Sequence, residues 1–140
     1  MTFLKTIPLT FTSDGLTLKG VLHLPDTRPA PFVVGCHGLF ADKESPKQIA
    51  LAEACCRAGV AYFRFDHRGC GESAGEFVQV TSVSARCRDL IDAVATLQAR
   101  HETGLLSGLF GSSLGGTVVL ASAARFSPVR LVTVAAPLKS

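Results

Sequence analysis

The chain reads as an α/β protein with a mostly parallel sheet flanked by helices and an antiparallel hairpin at the N-terminus. Short apolar runs alternate with segments of helical periodicity from Phe32 onward, which is the pattern of βαβ units. Two strand-like segments before them are joined by Ser13-Asp14-Gly15, a turn sequence that offers glycine for positive φ. The 140 residues are 47% hydrophobic and 18% charged, which excludes a disordered chain. About 150 residues bury roughly 70% of their extended surface, enough for one core, so a single domain over residues 1–140 is expected.

Residues 7–12 and Leu16–Leu24 form the predicted hairpin. Pro25, Pro29 and Pro31 make a rigid connection to a third strand, which runs from Pro31 into the turn His37-Gly38-Leu39-Phe40. Residues 46–58 fit a helix that begins after Ser45, with Pro46 in its first turn and Gly59 as its stop. Residues 60–65 are the next strand. The longest helix is predicted over residues 82–100, with Val83, Cys87, Leu90, Ile91, Val94 and Leu97 as its apolar stripe and Arg86, Arg88, Asp92 and Gln98 away from it. Residues 105–110 read as a buried strand and residues 114–124 as a helix rich in small residues. Residues 131–135 form a last strand between Pro128 and Pro137.

The chemistry is concentrated in Gly111-Ser112-Ser113-Leu114-Gly115-Gly116. Ser113 is the centre of Gly-x-Ser-x-Gly, with a strand before it and a helix after it. A serine in so sharp a turn needs small neighbours, here Gly111 and Gly115, and its side chain is pushed outward at the carboxyl end of the sheet. The backbone N–H of Leu114, at the start of the helix, can stabilise an oxyanion. The same pentapeptide arises by chance in glycine- and serine-containing loops, and the strand–turn–helix context is what favours a nucleophile. A serine hydroxyl also needs a base. Residues 114–140 contain no His, Asp or Glu.

Two further segments fit the same picture: Cys36-His37-Gly38-Leu39-Phe40 after the third strand, and Asp66-His67-Arg68-Gly69-Cys70-Gly71-Glu72-Ser73 after the fourth. With Ser113 they make three motifs in order, and the chain resembles an α/β-hydrolase of the esterase and serine-peptidase-like branch through the sixth strand of that fold. The resemblance implies a sheet ordered first, second, fourth, third, fifth, sixth. It implies a serine hydrolase acting on small-molecule carboxylic esters through an acyl-Ser113 intermediate. It places the second oxyanion-hole N–H on Leu39, with Phe40 as the alternative, gives His37 and Gly38 a role in loop geometry, and makes Asp66 and Arg68 supporting residues that tie down backbone near the site. His67 falls at the variable position of its motif and is expected to face solvent or the cleft rim. The family's histidine and acid follow its later strands, so both are expected from a missing C-terminal portion.

Each histidine lies N-terminal to Ser113. His23 is expected on an outer or edge face of its strand, and His101 as a cap after the long helix. His37 is nearest the cleft and is the candidate substitute base, with Asp66 or Glu72 as its orienting acid. Serine-based acyl transfer needs only protein groups and water, so no cofactor and no metal are expected.

The net charge of +3 is scattered, without a basic run or aromatic ladder, and does not support nucleic-acid binding. Five cysteines without Cys-x-x-Cys spacing argue against a disulfide framework and for a cytoplasmic setting. Cys70 is read as a small loop residue rather than a reactive thiol. No signal-peptide pattern or membrane-spanning run is read from the sequence, so no membrane partner is expected. Phe40 and Phe77 suggest an apolar rim, although burial is the commoner fate of a phenylalanine. The alternative to an enzyme is a catalytically inactive half-domain used for binding or assembly. In either case residues 131–134 would leave a β-prone edge, so self-association or a complementary C-terminal segment is expected. Dehalogenase or epoxide-hydrolase chemistry is weaker, because such proteins place Asp where Ser113 stands.

Overall fold

A computed structural model of the chain describes residues 5–126 and 129–134. Strands β1 (Lys5–Ser13) and β2 (Leu16–Leu24) pair antiparallel from Ser13↔Leu16 back to Lys5↔Leu24. Asp14 and Gly15 connect them with φ of 50° and 79°, the two positive values that suit a tight turn to the strand twist. β2 pairs antiparallel with β4 (Ala61–Phe65), and β4 pairs parallel with β3 (Ala30–Cys36). Parallel pairing continues from β3 to β5 (Thr103–Ser112) and from β5 to β6 (Arg130–Val134). The order is β1-β2-β4-β3-β5-β6, as the family resemblance implies. The strand succession reverses at β3, and the crevice of such a sheet lies outside the carboxyl ends of the strands at that point. His37 and Ser113 both lie there.

The helices are α1 (Pro46–Arg57), the one-turn α2 (Phe77–Val80), α3 (Val83–Gln98) and α4 (Leu114–Ser122). α4 runs into a 3-10 turn over Ala123–Phe126, so it is shorter than predicted. Side chains alternate across a strand, and β3 shows both faces. Phe32, Val34 and Cys36 join Leu90, Ala93, Val94 and Leu97 of α3 and Val118 and Val119 of α4 in one buried cluster. Val33 and Gly35 face α1 instead, Gly35 so closely that a Cβ there would stand 1.9 Å from the Tyr62 hydroxyl and 2.1 Å from Gln48 Oε1. Beside α1 an open groove of about 570 Å³ is bordered by Val33, Leu51, Val60 and Val132. Val132 is 56% exposed.

Two expectations fail here. His23 is 5% exposed rather than solvated, because it stands beside Tyr62 on the face of the sheet that α1 and Arg64 cover. Its Nε2 accepts a hydrogen bond from Arg64 Nε at 2.9 Å, and burial followed by the Arg64 charge lowers its pKa. The stripe of α3 is also turned from the predicted one: Ala85, Arg86, Asp89, Leu90, Ala93, Val94 and Leu97 are buried, whereas Val83 is 37% exposed. Arg86 is fully buried, since the N-terminal half of α3 passes under polar loops rather than under the apolar sheet. Ser82 caps α3 by accepting from the Ala85 N–H. All five cysteines are unpaired thiols, and burial pushes the Cys36 thiol far above its ordinary value.

Candidate active site

β5 ends at Ser112 and α4 begins at Leu114, so Ser113 alone makes the turn between them. Its φ of 54° and ψ of −120° lie where a residue with a Cβ is strained by about 1–3 kcal/mol. Hydrogen bonds on both sides hold it there. The Ser113 N–H donates to the Val134 carbonyl at 2.8 Å, and its own carbonyl accepts from the Gly116 N–H at 2.9 Å. The glycines permit the close approach: a Cβ on Gly111 would lie 2.3 Å from the Gly115 carbonyl oxygen, and one on Gly115 would lie 2.1 Å from that of Cys36. The Ser113 residue is exposed, and the N–H of Leu114 belongs to the first turn of α4, where the helix has no internal partner to offer it.

The loop after β3 faces this turn. Gly38 stands against it, with a Cβ position 3.5 Å from Ser113 Cβ. Between the two segments is a cleft of about 330 Å³ lined by Gly38, Leu39, Phe40, Ser45, Gln48 and Ser113. Gln48 is buried in the first turn of α1, accepts from the Tyr62 hydroxyl at 2.8 Å, and has an unpartnered Nε2. Phe40 departs from burial: it is 87% exposed and packs its ring 5.7 Å from that of Phe77. The structure therefore brings together Ser113, Leu114, Gly38 and Leu39, and it places Gly111 and Gly115 directly behind them.

Behind the cleft is a buried polar lattice. His37 Nδ1 lies 2.7 Å from the Gly38 carbonyl, and its Nε2 accepts the His67 N–H at 3.0 Å. With both ring nitrogens engaged and the residue 1% exposed, His37 cannot serve as the substitute base. Burial, then the neighbouring His67, lowers its pKa to about 3, so the ring is neutral and donates Nδ1–H. Asp66 and Glu72 are not behind it either, because both pair with Lys43. Among the described residues no histidine hydrogen-bonds the Ser113 side chain.

His67 is fully buried rather than at the rim, its ring 4.7 Å from Phe65 and 5.0 Å from His37. The reason is Asp89, whose carboxylate lies 3.3 Å from His67 Nδ1 and accepts from both the backbone and the side chain of Arg68. Burial lowers the His67 pKa to about 4 against the opposing effect of Asp89. Burial alone would raise the Asp89 carboxyl, but the hydrogen bonds from His67 and Arg68 overcome it and bring it down to about 2. Arg68 also pairs with Asp14 in the hairpin turn. It thus ties side chains of three elements together, where backbone groups were expected.

Asp66 does hold backbone. It accepts the Lys43 N–H at 2.7 Å and the Glu72 N–H at 2.9 Å, besides Lys43 Nζ at 2.7 Å. A Cβ on Gly71 would meet this carboxylate at 2.4 Å. Lys43, Arg86 and Asp89 are members of the lattice that the sequence pattern did not single out, and Gln48 is a buried polar residue of the cleft that it did not single out either. Lys43→Met should destabilise the chain by about 3 kcal/mol, since it strands a carboxylate with no solvent exposure. Urea unfolding checks this, and a loss below about 1 kcal/mol would mean that the backbone donors suffice for Asp66.

The sequence pattern of the serine aminopeptidase S33 family matches residues 27–140. The chain belongs to that family. Its fold is that of the α/β-hydrolases: the S33 chain superimposes on XC6422 of Xanthomonas campestris, described as a serine hydrolase without a lid, with a TM-score of 0.75 at 26% identity, covering 95% of this chain and 62% of the other. Est1E of Butyrivibrio proteoclasticus, solved with ferulic acid, gives a TM-score of 0.80 at 24% identity over 88% of this chain and 50% of that one, a likeness of fold. By sequence the chain is 33% identical over 102 residues to a monoacylglycerol lipase of Mycolicibacterium smegmatis, covering 73% of this chain and 35% of the lipase. It is 29% identical over 120 residues to human monoglyceride lipase, covering 86% and 39%. The S33 chain spans little more than a third of the length of these lipases.

Proposed function

We propose that the chain carries the nucleophile and oxyanion hole of a serine hydrolase acting on small-molecule carboxylic esters. The observation that carries this reading is Ser113, held at φ 54° in an exposed turn that faces Gly38 across the cleft. Ser113 Oγ attacks the ester carbonyl while a base takes its proton. The N–H groups of Leu114 and Leu39 receive the oxyanion, the alcohol leaves with the proton, and water then hydrolyses acyl-Ser113. His37, Gly38, Asp66, Arg68, Gly111 and Gly115 support this geometry. Lipase names among the relatives agree with an ester and do not choose its acid or alcohol.

The base and acid come, in this reading, from a complementary C-terminal segment that lies beside β6 and over the groove next to α1. The lipases matched are more than twice as long as this chain, and the exposed Val132 and Val134 on β6 offer an edge and an apolar face to such a segment. Five unpaired thiols suit a reducing cytoplasm. Among the described residues no helix is long and apolar enough to cross a membrane.

Intact-mass analysis after treatment with a fluorophosphonate tests the reading. The chain together with its C-terminal segment should take one label, and Ser113→Ala none. The chain alone should react about 10⁶-fold more slowly, the order by which removal of a triad's base slows a serine hydrolase. A folded, assembled protein that takes no label would defeat the hydrolase reading. The exposed β6 edge would then favour the inactive assembly module, and sedimentation would distinguish a heterologous complex from association of identical chains.

A further inference from the structure

Arg86 is the largest fully buried side chain of the described residues, and among them no carboxylate forms an ion pair with it. A buried guanidinium without a carboxylate must be satisfied by dipoles. Here the two terminal nitrogens find them in the two loops at the cleft, while Nε has no hydrogen-bond partner. Nη1 lies 3.4 Å from the His37 carbonyl oxygen and 3.2 Å from that of Gly38. Nη2 lies 3.2 Å from the Leu39 carbonyl oxygen and 3.3 Å from Cys70 Sγ. The Gly38 carbonyl also receives His37 Nδ1 and the Ala41 N–H. The fork thus gathers three consecutive carbonyls of the segment that faces Ser113.

In a trans peptide the N–H points opposite to the C=O. Drawing the carbonyls of His37, Gly38 and Leu39 toward the interior therefore turns the N–H groups of Gly38, Leu39 and Phe40 outward, on the side where the cleft opens. Consecutive N–H groups presented on one side of a turn form an anion-binding concavity. We propose that Arg86 is the positioning residue of the oxyanion hole: its guanidinium fixes the His37–Leu39 carbonyls so that the N–H groups of Leu39 and Phe40 face the carbonyl attacked by Ser113. The proposal rests on the hydrolase reading above for its substrate. It extends that reading by naming what aims the donors and by adding Phe40 to Leu39 among them. Lysine could keep the charge but presents a single donor centre, which cannot span three carbonyls.

Arg86→Met and Arg86→Lys test this with two readouts. In 15N–1H spectra of the chain itself, both substitutions should displace the Leu39 and Phe40 amide resonances while those of the hairpin residues Thr12 and Thr17 stay in place. In the assembled protein, kcat for p-nitrophenyl acetate, counted per fluorophosphonate-titrated site, should fall about 100-fold in Arg86→Met with KM unchanged. Arg86→Lys should retain an intermediate kcat, and it carries the test if Arg86→Met does not fold. A purely structural role would lower the number of titrated sites and leave kcat per site intact, which would overturn the proposal. Unmoved Leu39 and Phe40 amides would overturn it as well. A wild-type protein that neither labels nor hydrolyses would defeat the hydrolase reading, and the amide spectra would still decide whether Arg86 aims these groups.

Discussion

Gly115→Ala should destabilise the chain by about 3 kcal/mol or more, a large fraction of the roughly 5–15 kcal/mol that holds a domain folded. The added Cβ would stand 2.1 Å from the Cys36 carbonyl oxygen, 2.6 Å from the Cys36 carbonyl carbon and 2.8 Å from the His37 carbonyl oxygen. All three are backbone atoms: Cys36 ends β3 and is held by its pairing with β5, and the His37 carbonyl just beyond is held by Arg86 Nη1, so none can rotate aside. Relief would require α4 to lift from the sheet. That would carry Ser113 away from Gly38 and open the buried Val118 and Val119 to water. Gly104→Ala is the control, because its Cβ would meet nothing closer than 3.7 Å and should change stability by no more than about 0.5 kcal/mol. Urea midpoints of the two variants make the comparison. Equal midpoints would show that α4 is not locked against β3 and that the elbow tolerates a wider turn.

The elements and the position of the elbow were legible because both follow from local patterns, apolar runs of strand length and glycines where a backbone crosses close to another, whereas the order of the strands across the sheet came from the family resemblance. Gly111 and Gly115 show this directly, since each would collide with main chain if it carried a Cβ. The polar lattice was not legible. On α3 the apolar residues alone suggested a stripe through Val83, Cys87 and Ile91, yet the buried face runs through Arg86, Asp89 and Ala93. Periodicity assigns a charge to the solvent side unless a buried partner is known. The partners of Arg86 and Asp89 are the His37–Leu39 carbonyls and the His67–Arg68 segment, which lie far off in sequence. One signal was available: Arg86, Asp89, Ala93 and Leu97 recur at three and four residues, so two charges stand in line with two core positions. His67 misleads for the same reason. It sits between Asp66 and Arg68, whose roles are polar, while its own ring is packed on Phe65 and closed off by Asp89.

Stability should fall by roughly 2–3 kcal/mol between pH 7.5 and pH 5.5, and His37 and His67 are the cause. An unfolded histidine titrates near 6.5. In the folded chain burial brings His37 to about 3 and His67 to about 4. Below pH 6.5 the unfolded state therefore takes up two protons that the folded state refuses, and stability drops by about 1.4 kcal/mol per pH unit for each ring until the folded values are approached. The contribution is complete above pH 6.5 and shrinks as pH falls. His23, lowered by burial and Arg64, acts in the same direction. Asp89 does not share this window: its folded pKa of about 2 lies below the unfolded value near 3.9, so its contribution is intact above pH 4 and is lost only at lower pH. Urea midpoints across pH 7.5 to 4.5 give the slope. His67→Asn, which can still offer Asp89 an N–H, should remove close to half of it. A flat profile in the wild-type chain, or a slope unchanged in that variant, would mean that the rings accept protons without leaving their places. The lattice behind Ser113 would then be softer than the hydrogen bonds of His37 and His67 require.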